Sequence, residues 1–370
     1  MRCQCTSEPR EPHRTRCRRR QISSYRPPML VTIADRSFPF DGNTPSEIAL
    51  PPGQKGVVEL AEALASAGHT VRVFNQCEMS TVVRDVSWVP LEEAAAASTD
   101  LCIAHQDPEL LDLVPDIKTR VLWLTGSGKP LVKPERFAAA ARHRPTLVYQ
   151  GDAHLKTIPD ALLAFEGARI RNGVGEAFLN AEEPRPSVSP RAVVTTHPLL
   201  GLEWLIGLWR RRIHGRLPWA ELHVFSSALH GASEGRSPAP AYERIHAIVT
   251  AAEKSGVHVH KPLPDAEMVE FLRAARVHFY PSHETDVSAM TLAESQAVGL
   301  PAIARPLGAA SERILDGKTG FLAKDDNAFA EYAIRLLDDQ ATHARMSEHA
   351  RERGGQSWSS VAGEFEALTR

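Results

Sequence analysis

The chain has 370 residues, of which 43% are hydrophobic and 24% are charged, and its formal net charge is −2. That length is too great for one ordinary hydrophobic core and predicts two α/β domains of roughly 150 residues each. The charge gives no electrostatic reason to expect nucleic acid as a partner, or more than peripheral contact with a membrane. No apolar run approaches the ~20 residues of a membrane-spanning helix. Five cysteines, three of them within the first 17 residues, indicate no disulfide framework and favour a reducing cytoplasm.

Residues 1–28 differ from the rest of the chain. They are rich in arginine and have no apolar periodicity with which to bury a face. They also lack the apolar region of a secretory signal. The three cysteines and His13 in this stretch have a spacing that fits no standard zinc site. We expect a disordered tail, or a start placed upstream of the true beginning at Met29, and predict no fold for it.

The predicted first domain, residues 29–184, begins with an apolar strand at 29–34. The loop that follows, 35–54, holds too many prolines and glycines for regular structure. Apolar residues at helical spacing then predict a helix from Val57 to Ala67. Further strands are predicted at 71–74, 101–104, 120–124 and 146–149. This alternation predicts a doubly wound parallel sheet, and without a G-x-G-x-x-G motif we expect no dinucleotide site there.

The predicted second domain covers residues 185–355 and follows a proline-rich linker at 182–190. Its predicted strands include 191–196 and 221–225, with a helix between them. The remaining residues, 356–370, form a short terminal segment that begins near Trp358.

The most informative pattern lies at residues 279–322, where a strand, a loop, a helix, a second strand and a glycine loop follow in close succession. Asp286 and Glu294 stand eight residues apart, which places both carboxylates near one edge of this corner. We expect backbone N–H groups near residues 287–289 to face outward. Such a corner suits a ligand with phosphates and hydroxyls, because N–H groups and the helix dipole attract phosphate and carboxylates accept hydrogen bonds from hydroxyls.

This segment resembles the donor-binding signature of the family 4 glycosyltransferases, which are retaining enzymes of the GT-B fold. The matching residues, in order and spacing, are Pro281, Ser282, Glu294, Gln296, Ala297, Gly299, Pro301, Gly308, Glu312, Gly317, Thr319, Gly320 and Leu322. A weaker match near the start of the chain is carried by Gly56, Glu59, Leu60, Ala61, Leu64, Gly68, His69 and Val71. The turn Asn172-Gly173-Val174 resembles the one that closes the first domain in that family.

The resemblance implies two Rossmann-like domains that face a central cleft, with the terminal helix at 356–370 crossing back onto the first. It implies transfer of a sugar from a nucleotide-diphosphate donor on the second domain to a glycan, lipid-linked or small-molecule acceptor on the first, with retention of configuration. The donor is a substrate, and no cofactor is implied. We find no convincing metal-ligand set, since the paired aspartates at 325–326 and 338–339 are typical of solvated surface.

The resemblance also implies roles for single residues. Glu294 would bind the ribose of the donor, and Asp286 would be the catalytic carboxylate facing the sugar. Glu284 is the alternative if the loop is shifted by two residues. His105, at the end of a first-domain strand, is a candidate for orienting the acceptor, because α/β sites lie at that edge of a sheet.

The chain departs from the family pattern at two places that should contact the donor. A glycine-rich turn is replaced by the donor-binding candidates Val287, Ser288 and Ala289, with Gly308 in the loop beyond. An arginine and a lysine that grip the diphosphate are missing, and Leu200 stands at the lysine position. The nearest candidates for replacing them are His197, Lys261 and Arg305.

These departures leave a second hypothesis open, in which the chain is a catalytically weak or inactive GT-B paralogue that serves as a binding or scaffold subunit. Each lost charge-assisted hydrogen bond is worth about 1.5–3 kcal/mol. A sugar-nucleotide epimerase on the same fold is a third reading, for which the sequence offers no supporting residues.

Overall fold

Two β-sheets form the framework of residues 27–95, 98–233 and 235–370, which are the residues that this computed structural model describes. The predicted tail lies outside the described residues up to residue 26. The first sheet contains β1 (Leu30–Ala34), β2 (Thr70–Asn75), β3 (Thr81–Val83), β4 (Val86–Pro90), β5 (Ser98–His105), β6 (Asp116–Trp123), β7 (Thr146–Tyr149) and β8 (Gly167–Arg169). Its spatial order is β3-β4-β2-β1-β5-β6-β7-β8.

The second sheet contains β9 (Arg191–Val194), β10 (Glu221–Phe225), β11 (Val257–His260), β12 (Val277–Tyr280), β13 (Ala302–Ala304) and β14 (Gly320–Leu322). Its order is β11-β10-β9-β12-β13-β14, and all of its paired strands are parallel. Two parallel α/β sheets were predicted, and the structure confirms them. The first sheet differs at one edge, where the short β3 pairs antiparallel with β4. Because a parallel partner needs a long crossover, this edge strand returns through a tight turn instead.

Helices cover these sheets. They are α1 (Thr44–Glu47), α2 (Pro52–Ser66), α3 (Pro134–His143), α4 (Asp152–Leu155), α5 (Glu176–Leu179), α6 (Leu202–Leu208), α7 (Ser227–Ser233), α8 (Glu243–Ala252), α9 (Asp265–Ala274), α10 (Met290–Ala297), α11 (Ala310–Arg313), α12 (Asp326–Asp338), α13 (Gln340–Arg353) and α14 (Trp358–Ala367). A π-helical turn, Trp209–Ile213, continues α6.

The start of α2 lies five residues before the predicted Val57. Proline is tolerated in the first turn of a helix, where its missing N–H has no partner to lose, so Pro52 begins the helix instead of preventing it. This earlier start places Lys55 in the first turn of α2. The loop predicted at 35–54 was therefore wrong at its end, and its interior also contains the short helix α1.

The terminal helix α14 packs against α2 of the first domain. The Trp358 ring meets the Trp123 ring of β6 edge-on, with ring centroids 6.3 Å apart. Gly173 leaves room for this contact, because a Cβ there would lie 2.8 Å from the indole of Trp358. The chain therefore crosses between the domains twice, once after Gly173 and once before Trp358.

Several histidines are buried in a neutral form. His278 in β12 is fully buried, between the hydroxyl of Ser295 at 2.8 Å and that of Thr195 at 3.0 Å. Burial lowers its pKa to about 3. Burial likewise lowers the pKa values of His154, His223 and His343 to about 4.

These histidines predict loss of stability in mild acid. In the unfolded chain they bind a proton below about pH 6.5, whereas in the folded chain they stay neutral until about pH 3–4. Protonation therefore favours unfolding, and stability should fall as the pH decreases from 6.5 to 4. Melting temperatures at half-unit intervals would show this. The dependence of melting temperature on pH should be weaker in His278→Gln, whatever the stability of that variant. A melting temperature of the parent that stays constant from pH 6.5 to 4.5 would contradict the account.

Candidate functional site

A cleft of about 610 Å³ separates the two domains. On the second-domain side it is lined by the loops that follow β9, β10, β11 and β12, together with the start of α10. Parallel strands bring their carboxyl ends to one edge of the sheet, which is where ligands bind in open α/β folds. On the first-domain side it is lined by residues 49–52, Lys55 and Phe178.

An ion cluster of three residues crosses this cleft. The Lys55 Nζ atom, on α2 of the first domain, lies 2.7 Å from Glu294 Oε1 on α10 and 2.6 Å from Asp265 Oδ2 at the start of α9. The side chains of Lys55 and Glu294 are only 12% and 13% exposed. The ammonium also lies 4.6 Å from the centroid of the Phe178 ring. One cation of the first domain is thus held by two carboxylates of the second.

The charges in this cluster shift one another's pKa values. Burial disfavours the Lys55 ammonium, but the carboxylates of Glu294 and Asp265 outweigh that effect and raise its pKa. Burial raises the pKa of Glu294, and Lys55 opposes the rise. One turn along α2, burial raises the pKa of Glu59 to about 7, with Lys55 again opposing. Two carboxylates thus contact one ammonium, and Glu59 lies within its electrostatic reach. This composition suits hydroxyl-bearing ligands better than phosphate.

The loop before α10 is organised around Asp286, which is half-buried and lines the cleft. Its Oδ1 atom accepts hydrogen bonds from the N–H groups of Ser288 at 3.2 Å and Ala289 at 2.9 Å, and its Oδ2 accepts one from the Tyr280 hydroxyl. The prediction that the N–H groups around Val287 face outward is therefore wrong for these two donors. Their partner is the neighbouring carboxylate, so Asp286 shapes the loop as well as facing the cleft.

Gly308 supports this loop from behind and does not line the cleft. Its φ is 55°, and a Cβ there would lie 2.3 Å from the His283 carbonyl oxygen and 2.5 Å from that of Asp286. The Ala309 N–H donates to the same Asp286 carbonyl at 2.9 Å. Glycine is required here by the close approach of two backbone segments. The structure thus gives Gly308 a supporting place where donor contact was predicted.

The cations predicted to replace the missing clamp do not assemble. Lys261 is exposed and lies outside the cleft lining. Arg305 donates to the carbonyls of Pro281 and Ser282 and stacks over Trp204, 4.6 Å from the ring centroid, so it too lies outside the lining. His197 does line the cleft, where its Nε2 lies 3.1 Å from the Tyr242 hydroxyl.

Among the described residues that line the cleft, Lys55 is the one lysine or arginine. Glu284, the alternative first carboxylate, is exposed and is not part of the lining, whereas Asp286 is. The geometry therefore favours Asp286 over Glu284. Lys55 itself was not predicted, because a lysine in the first turn of a helix carries no local signal that separates it from solvated surface.

His105 lies beneath the cleft instead of lining it. It is 2% exposed, with Nδ1 2.5 Å from Asp35 Oδ2 and Nε2 2.7 Å from Thr125 Oγ1. Gly53 at the start of α2 covers it, since a Cβ there would lie 3.3 Å from the His105 ring. Both ring nitrogens are occupied within the protein, so the acceptor role predicted for His105 has no geometric support.

Two features are absent from the described part of the chain. No helix there is long and apolar enough to span a membrane. No group of three or more histidine, cysteine, aspartate or glutamate side chains among these residues is arranged to hold a metal ion.

Two Rossmann-like sheets around a carboxylate-lined cleft define the class of protein, and solved structures share this organisation. Sucrose-phosphate synthase from Thermosynechococcus elongatus superposes with a TM-score of 0.67 at 16% identity, over 91% of this chain and 98% of that one. The Anabaena protein HepE, solved with UDP and glucose, gives a TM-score of 0.65 at 14% identity, over 92% and 98%. At such identities the likeness shows the fold, and that fold is GT-B.

The sequence relatives identify the family. Residues 240–353 match the family model described as glycosyl transferases group 1. The D-inositol 3-phosphate glycosyltransferase of Streptomyces avermitilis is 32% identical over 359 residues, which cover 80% of this chain and 77% of the relative. The chain belongs to the group 1 glycosyltransferases, as the signature at residues 279–322 predicted. The relative of the same description from Corynebacterium glutamicum is 31% identical over 141 residues, which span 33% of that protein.

The ion cluster predicts a specific loss of stability. In Lys55→Met, Glu294 and Asp265 would face each other in a largely buried site without their cation. Removing one partner of a buried ion pair costs roughly 3–5 kcal/mol, and we expect a fall of about 3 kcal/mol in the free energy of unfolding. Denaturant unfolding at pH 7.5 measures it.

Lys254→Met is the matched control, because Lys254 is exposed and should change stability by less than about 0.5 kcal/mol. The penalty in Lys55→Met should shrink at lower pH, where Glu294 takes up a proton. A Lys55→Met protein as stable as the parent would show that the cluster does not hold the domains.

Proposed function

We propose that this protein transfers a sugar from a nucleoside-diphosphate sugar to an acceptor, with retention of anomeric configuration. The observation that carries the proposal is the placement of Asp286 and Glu294 on one wall of the interdomain cleft, at the carboxyl edge of the second sheet. Membership of the group 1 glycosyltransferases supports it. The HepE structure was solved with UDP and glucose, which supports the same donor class.

In this proposal Glu294 accepts hydrogen bonds from the ribose hydroxyls of the donor. A carboxylate offers about four acceptor positions, of which Lys55 uses one. The ion pair therefore orients Glu294 and leaves acceptor positions for the ligand. Lys55 is a positioning residue in this arrangement, and it carries to the cleft a cation that the second domain does not supply.

The diphosphate would lie against the first turn of α10. Met290 and Thr291 of that turn line the cleft, and the first N–H groups of a helix have no partner within it. Lacking a second lysine or arginine among the described lining residues, the site should bind the diphosphate weakly. The alternative of an inactive paralogue rests on that missing clamp and on the replaced glycine turn, whereas both carboxylates line the cleft.

We propose a glycan or lipid-linked acceptor at the first-domain wall of the cleft. That wall is mostly apolar where residues 49–52 and Phe178 form it, which suits an acceptor with an apolar portion.

We propose the cytoplasm as the compartment, supported by Cys77 and Cys102, which are buried as free thiols.

Transfer by two matched variants tests the assignment. Asp286→Asn keeps an oxygen for the N–H groups of Ser288 and Ala289 but removes the charge that faces the sugar. We expect it to fold, to bind nucleoside diphosphate and to lose sugar transfer. Glu284→Gln makes the same chemical change at an exposed position and should turn over like the parent.

The assay measures release of nucleoside diphosphate from UDP-, GDP- and ADP-glucose, alongside nucleotide affinity. If Glu284→Gln is inactive and Asp286→Asn is active, the loop register is wrong by two residues. Normal turnover in both variants would show that neither carboxylate of this loop takes part in sugar transfer. A parent protein that binds nucleotide and transfers from no donor would favour the scaffold hypothesis.

A further inference from the structure

A second, smaller cavity of about 180 Å³ lies where the chain crosses between the domains. Residues 171, 172 and 174 of the outgoing crossover and 354–356 of the returning one form its walls. Ala293 and Gln296 of α10 also line it, whereas Met290, Thr291 and Glu294 of the same helix line the donor cleft. Helix α10 thus separates the two cavities, and this one, which we call the crossover cavity, is a distinct space.

Three arginines line the crossover cavity: Arg171, Arg313 and Arg353. Arg171 lies 3.6 Å from the Glu312 carboxylate, which also pairs with Arg169 at 3.1 Å and accepts from the Ala153 N–H at 2.8 Å. That carboxylate is therefore shared among several donors. The cavity carries more positive charge than its neighbours neutralise.

The other two arginines contact neutral acceptors. Arg313 donates to the Ser288 carbonyl at 2.9 Å, and Arg353 donates to the carbonyls of Glu312, at 3.2 Å, and Arg313. In the described ranges no carboxylate lies within 4.0 Å of either guanidinium. Burial and the charges of Arg171 and Arg353 together lower the pKa of Arg313 to about 10, and the carboxylates of Glu312 and Asp286 oppose this shift. The positive charges of Arg171, Arg313 and Arg353 repel one another.

Two unsatisfied donors belong to residues of the same cavity lining. Gln296 and Asn172 are 2% and 3% exposed, and both line the crossover cavity. The Gln296 Nε2 and Asn172 Nδ2 atoms are buried without a hydrogen-bond partner. A buried donor left unpaired costs about 1–3 kcal/mol, so such atoms are usually satisfied in native proteins. A cavity whose lining combines excess guanidinium charge with buried amides that lack a partner is an environment that a tetrahedral oxyanion satisfies.

We propose that the crossover cavity binds a phosphate-sized oxyanion, either inorganic phosphate or the phosphate group of a small phosphomonoester. The inference stands on the cavity and its donors and does not depend on the proposed sugar transfer. Arg171 belongs to the first domain and Arg313 and Arg353 to the second, so the bound anion joins the domains at their crossover. Arg313 connects the site to the Asp286 loop through its bond to the Ser288 carbonyl.

Titration of the whole protein with inorganic phosphate tests this, with potassium chloride at matched ionic strength as the salt control. Calorimetry and melting temperature should both show saturable binding of phosphate and none of chloride. Repeating the titration with glycerol phosphate separates the two sources. Binding of both probes assigns the site to phosphomonoesters, and binding of phosphate alone assigns it to the free ion.

Arg353→Gln and Arg210→Gln form a matched pair, since both arginines are exposed and each variant loses one positive charge. Arg353→Gln should weaken phosphate binding by roughly tenfold or more, as expected for a lost charge-assisted hydrogen bond. Arg210→Gln, outside the crossover cavity, should bind like the parent.

Gln296→Met is a second test that needs no charge change. This variant removes an unsatisfied donor, so without phosphate its melting temperature should be no lower than that of the parent. Phosphate should raise its melting temperature by less than it raises that of the parent.

The proposal is overturned if phosphate gives no saturable signal beyond chloride. It is also overturned if Arg353→Gln and Arg210→Gln bind phosphate equally, because the anion would then lie elsewhere, for example in the donor cleft. If phosphate raises the melting temperature of Gln296→Met as much as that of the parent, the Gln296 amide does not contact the bound anion.

Discussion

The pairing of Lys55 with Glu294 and Asp265 is the interaction on which the rest of the site depends. Largely buried charges must be paired, and here the partners lie on different domains. The cluster therefore constrains how the two sheets face each other and where the Glu294 carboxylate points. The terminal helix and the crossovers also connect the domains, through Trp358 and the contacts of Glu312.

Much of this arrangement could be predicted from the sequence where the information is local. The alternation of strands and helices predicted both sheets, and the spacing of Asp286 and Glu294 placed two carboxylates at one corner. Lys55 could not be found in this way, because its partner Glu294 is 239 residues away and no local pattern records the pairing. The start of α2 at Pro52, which was predicted as loop, also concealed it.

Two of the wrong predictions share a physical cause, which is competition for hydrogen-bonding groups inside the protein. The N–H groups of Ser288 and Ala289 were expected to meet phosphate, but the Asp286 side chain is closer and accepts from both. Arg305 was expected to grip a diphosphate, but nearby carbonyl oxygens already receive its donors. A motif gives the residue types at a site, whereas the partners that each side chain already has determine which groups remain for a ligand.

The central claim is that Lys55 acts on the donor through Glu294. A double-mutant cycle tests it most directly, with nucleoside-diphosphate affinity measured for the parent, Lys55→Met, Glu294→Gln and the double variant. The account predicts that Lys55→Met weakens binding about tenfold in the parent and has little further effect once Glu294 is replaced. Independent, additive losses would contradict it, because Lys55 would then contact the nucleotide itself.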